Sequence, residues 1–145
     1  MIRPVNAAQI SLKSMRIIHL CFLLTVVLYL WVPSMMAHGQ RSEVPVLFVA
    51  IFGMLAVTSV VASLFFQSKL VRPAAEQLQR DPNDKGATAR WRAGVILSLV
   101  FGETVILCGL IMRILGVPWS IAGIFYGVGA LLLIWFTPKL ELLPE

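Results

Sequence analysis

Four runs of nearly unbroken apolar residues constrain this chain more than anything else in it: 17–33, 44–66, 93–115 and 118–138. A helix needs about 20 mostly apolar residues to cross the hydrocarbon of a bilayer. Inside hydrocarbon no water serves the backbone, so each run must satisfy its own N–H and C=O groups as a helix. Charged residues make up 13% of the chain, against roughly 25% in a soluble domain. Too few remain to cover a water-facing surface. The expectation is an all-α, polytopic membrane bundle of four transmembrane helices, with residues 1–145 forming a single integral membrane domain.

Orientation follows from Lys and Arg. The amino-terminal segment carries Arg3, Lys13 and Arg16. The polar stretch 67–92 carries Lys69, Arg72, Arg80, Lys85, Arg90 and Arg92, and the tail carries Lys139. Only Arg41 and Arg113 fall on the other side, so the positive-inside bias places both ends and the 67–92 loop in the cytoplasm. The expected location is multi-pass in a bacterial plasma membrane. The net charge of +5 sits at the ends of apolar runs, not in a basic patch on a soluble module, which argues against nucleic-acid binding. An alternative for the first run is a signal peptide cut after Met35-Met36-Ala37, but the run is long for an h-region and Met35 fits that site poorly.

Residues 7–15 read as an interfacial helix ahead of the first span. His38 lies in the short outer loop and lacks the convergent ligands a metal needs. Pro73 and the residues after it favour a helical turn, and Asp81-Pro82-Asn83-Asp84 reads as a turn. Gly116-Val117-Pro118 is so short a link that the last two spans must form an antiparallel hairpin. Cys21 and Cys108 lie about 15 Å apart in depth at 1.5 Å rise per residue, too far for a disulfide. No metal or cofactor motif is present.

Helices associate in lipid where small residues let backbones approach. Gly94, Ser98, Gly102, Gly109 and Gly116 fall within about 80° of one another at 100° per residue. The last run carries Gly123, Gly127 and Gly129. These ridges are expected to pack the hairpin or to meet another subunit.

Glu103 is the one costly residue. It lies midway between Arg92 and Arg113, near the centre of the bilayer. A carboxylate there costs at least a few kcal/mol, so it should face protein or a water-filled cavity. Partners at similar depth are Thr25, Thr58, Ser59 and Tyr126. His19, beside Arg16, is expected among lipid headgroups.

Arg80-Asp81-Pro82, then Gly94 and the run from Ser98 through Gly102-Glu103-Thr104 to Gly109-Leu110-Ile111, resembles the rotor-ring proteolipid of ATP synthases, subunit c. The resemblance spans residues 80–115, about a quarter of the chain. It implies that Glu103 carries a translocated ion and that Arg80 and Pro82 belong to a polar cytoplasmic loop.

Two function classes remain. In one, Glu103 handles a proton or cation within a membrane bioenergetic complex. In the other, the chain is a non-catalytic accessory or scaffold subunit that binds membrane partners or itself, and Glu103 is structural packing. No nucleophile elbow, metal dyad or phosphate-binding loop points to an enzyme.

Overall fold

The computed structural model describes residues 7–36 and 45–137, and every regular element within them is helical. The elements are α1 (Ala7–Met36), α2 (Val46–Phe66), a π-helical turn (Gln67–Val71), α3 (Arg72–Arg80), α4 (Lys85–Ile114) and α5 (Trp119–Trp135). Arg3, His38, Arg41 and Lys139 lie outside the described residues.

Among the described residues three stretches are long and apolar enough to cross a membrane: Leu12–Pro33, Val46–Arg80 and Lys85–Ile114. That makeup is the mark of a membrane-embedded helical protein. The apolar helix α5 has 17 residues and rises about 26 Å, short of a typical hydrocarbon core of about 30 Å.

One local reading of the sequence changes. The first run is not an interfacial helix followed by a span; one helix runs from Ala7 through Pro33 to Met36. The stretch 67–92 is helical on both sides of a turn at 81–84, as the residues after Pro73 and Asp81-Pro82-Asn83-Asp84 lead one to expect, and a π turn carries α2 directly into α3. Asp84 then restarts the chain as an N-cap, its Oδ1 accepting from Gly86 N at 2.8 Å and Ala87 N at 3.0 Å. Such a cap serves two of the N–H groups that a helix start leaves unpaired. Gln77 ties α3 to this start, donating to Asp84 Oδ2 at 2.8 Å and accepting from Arg90 at 2.8 Å.

The central helix is α4, on which α1, α2, α3 and α5 all pack. Half of its apolar window is buried, against 11% of that in α1 and 17% of that in α2. The two outer helices therefore turn most of their apolar surface outward, as lipid-facing helices do. Small residues set how close each neighbour comes. A Cβ on Gly94 would stand 2.8 Å from Val71 Cγ2, so glycine there admits the π turn. A Cβ on Gly129 would overlap Ile106 and stand 3.0 Å from the Gly102 carbonyl, which makes Gly129 the closest approach of α5 to α4. On the α2 side, Ser63 donates to the Ser98 carbonyl at 3.0 Å with both residues fully buried. Phe66 stacks on Phe101 with ring centres 5.6 Å apart.

Candidate functional site

Helix α1 brings two hydroxyls to Glu103. Thr25 and Tyr29 are four residues apart and so share a face of the helix. Thr25 Oγ1 lies 2.9 Å from Glu103 Oε1, and the Tyr29 hydroxyl donates to the same oxygen at 3.1 Å. Glu103 is half-buried, at the seam where α1 meets α4.

Counting protons shows what this arrangement can do. Thr25 has one hydroxyl proton, yet two oxygens lie within its reach: Glu103 Oε1 and the Phe22 carbonyl, the latter at 2.7 Å. With a proton on Oε1, Glu103 donates to Thr25 Oγ1, the Thr25 proton goes to the Phe22 carbonyl, and Tyr29 donates to Oε1. With Glu103 ionised, the Thr25 proton swings to Oε1, and Tyr29 still donates there. One hydroxyl rotation separates the two hydrogen-bonded states, and no heavy atom has to move.

The frame around the carboxyl is built from carbonyls that helices leave unpaired. Pro33 has no N–H, so the Tyr29 carbonyl one turn earlier loses its usual helical donor. The Tyr126 hydroxyl of α5 donates to that carbonyl at 3.1 Å. Prolines survive inside membrane helices where a neighbour serves the freed group in this way. The reverse bond joins the other ends of the same helices. Leu133 lies in the last turn of α5, where carbonyls lack helical partners, and His19 Nε2 sits 2.8 Å from its oxygen. A carbonyl only accepts, so Nε2 carries the proton in that bond. His19 is 6% exposed, so its ring is enclosed between helices, where it caps α5.

Of the expected partners, Thr25 meets Glu103 directly and Tyr126 reaches it only through Tyr29. Thr58 and Ser59 do not take part. Their hydroxyls turn back onto the Met54 and Leu55 carbonyls of their own helix. Tyr29, which the sequence did not single out as a partner, is the second direct one. Its spacing of four from Thr25 was the available signal. Among the small residues, Gly94, Ser98, Gly102 and Gly109 are buried on α4. Gly123 and Gly127 are not at a helix contact: a Cβ on Gly127 would meet nothing within 4 Å, and one on Gly123 only Trp119 at 3.9 Å. Arg113 sits over the Trp119 ring at 5.4 Å and donates to the Val117 carbonyl at 3.3 Å, which pins it to the α4–α5 link. Cys21 and Cys108 are free thiols. No group of three or more His, Cys, Asp or Glu side chains converges among the described residues.

Fold and site together define a helical, membrane-embedded protein with a carboxyl held between helices by two hydroxyls. No family model, curated protein or solved structure matches the chain.

Proposed function

We propose that this chain is a four-span protein of a bacterial plasma membrane in which Glu103 binds and releases a proton. In this reading both ends and the α3–α4 turn face the cytoplasm, and the protein works as a non-enzymatic subunit of a larger membrane complex. The observation that carries the reading is the Thr25 hydroxyl, which stands within hydrogen-bond distance of both Glu103 Oε1 and the Phe22 carbonyl. A site that serves the acid and the carboxylate equally well, at the cost of one hydroxyl rotation, suits a group that cycles between them. A proton needs no more than this. Hard divalent cations take about six or more oxygen ligands, and here two hydroxyls are drawn directly onto one carboxylate oxygen. The likeness of residues 80–115 to subunit c points the same way.

Helix α1 supplies both hydroxyls at Glu103, which argues for its retention in the mature protein and against its removal as a signal peptide. The lysine and arginine bias supports the orientation. In proteoliposomes, Glu103→Gln is expected to abolish proton flux driven by a pH gradient, and a hydrophobic carbodiimide is expected to modify Glu103 more readily at low pH. Unchanged flux in Glu103→Gln together with a Glu103 inert across roughly pH 5 to 9 would sink the reading.

A second reading makes the chain a scaffold with Glu103 as packing. Gly127 favours it, being exposed on α5 with open space around it. That reading predicts partner loss on Gly127→Leu and a normal host complex with Glu103→Gln.

A further inference from the structure

Tyr29 touches three helices at once. Its backbone belongs to α1, its hydroxyl reaches Glu103 on α4 at 3.1 Å, and its carbonyl accepts from Tyr126 on α5 at 3.1 Å. That carbonyl is free only because Pro33, four residues on and fully buried, offers no N–H. Left unpaired in an apolar interior, a carbonyl is strongly unfavourable, so the Tyr126 hydroxyl has one strongly preferred acceptor. Tyr126 in turn has little freedom. It is 5% exposed, its ring lies 5.6 Å from that of Trp119, and its Cδ2 would stand 3.3 Å from a Cβ at Gly109.

We infer that Tyr126 and Pro33 are positioning residues for the Glu103 site, acting as a pair to hold the Tyr29 hydroxyl on the carboxyl oxygen. Turning α1 about its own axis would carry both Thr25 and Tyr29 off Oε1. The Tyr126–Tyr29 bond opposes that turn beside the site, and Pro33 strengthens it by removing the helical N–H that would compete for the carbonyl. The pair is two residues acting as one device: without the proline the carbonyl's own helix competes with the hydroxyl for it, and without the hydroxyl it is stranded.

The inference rests on the proton-site reading, and one experiment separates their failures. The rate at which a hydrophobic carbodiimide modifies Glu103 is followed against pH in bilayers. The proteins compared are wild type, Tyr126→Phe, Pro33→Ala and the double variant, with Glu103→Gln as the blank. Tyr126→Phe keeps the ring against Gly109 and Trp119, so the fold is retained. Pro33→Ala gives the Tyr29 carbonyl a helical partner and only strengthens α1. Each single substitution is expected to displace the pH profile and to raise the modification rate about fivefold, as expected for one net hydrogen bond. The double variant is expected to match the singles and not to add to them. A Tyr126→Phe profile that overlays a pH-dependent wild-type profile overturns the inference alone, as do effects that simply add. A wild-type Glu103 that reacts no faster than the Glu103→Gln blank at any pH overturns the proton-site reading and this inference with it.

Discussion

Replacing Gly129 with alanine places one methyl group where α5 comes nearest α4. The new Cβ would overlap Ile106 Cγ1 and stand 3.0 Å from the Gly102 carbonyl and 3.1 Å from the Ile106 amide nitrogen. The first neighbour is a side chain that can rotate. The other two are backbone of the central helix and cannot yield, so α5 must move outward. Gly127→Ala is the matched control, since its methyl meets nothing within 4 Å. Both substitutions gain the same helix propensity, and their difference isolates the contact. Overpacking of this kind costs about 1–3 kcal/mol, whereas Gly127→Ala keeps only the shared propensity gain of about 1 kcal/mol, so Gly129→Ala should fall about 1–3 kcal/mol below it. Equilibrium unfolding in mixed micelles, followed by tryptophan fluorescence, measures the gap. Equal stabilities for the two variants would refute the packing of α5 on α4 described above.

Thr25→Val should raise the rate of carbodiimide modification of Glu103 and cost about 1 kcal/mol of stability, the usual size of an interhelical hydrogen bond in a bilayer; Thr25→Ser should behave as wild type. His19→Leu leaves the Leu133 carbonyl unpaired and should cost about 1–3 kcal/mol in the same unfolding assay, while His19→Gln, which retains an N–H donor, should cost less. Asp84→Ala should lower stability by about 1 kcal/mol through loss of the cap, and amide exchange at Gly86 and Ala87 should accelerate first.

Periodicity and composition carried the all-helical architecture, because apolar runs of this length have few other ways to satisfy their backbone. Glu103 was legible for the same reason: a carboxyl in that setting is costly wherever it points. Its partners were not. Depth alone put Thr25, Thr58, Ser59 and Tyr126 level with it, but depth does not say which face of a helix meets which neighbour. Packing of α2 against the Gly94–Ser98 side of α4 leaves Thr58 exposed and Ser59 bonded within its own helix. Tyr29 lies four residues beyond Thr25 on the same helix face, a relation that spacing carries but depth does not. Gly123 and Gly127 matched a familiar spacing, yet Gly129 makes the contact, because which glycine faces α4 depends on how α5 is rotated. The same rotation puts Leu133 against His19, a pairing between residues 114 positions apart that no local pattern encodes.

The central claim, that Glu103 takes up and gives off a proton, is tested most directly by infrared titration of the protein in bilayers. The band of a protonated carboxyl that is lost in Glu103→Gln identifies the group. The account predicts that this band fades as pH rises, with the Thr25 hydroxyl changing its hydrogen-bonded state in step. A Glu103 band that does not change with pH anywhere the protein stays folded would contradict the account and leave the carboxyl a fixed element of helix packing.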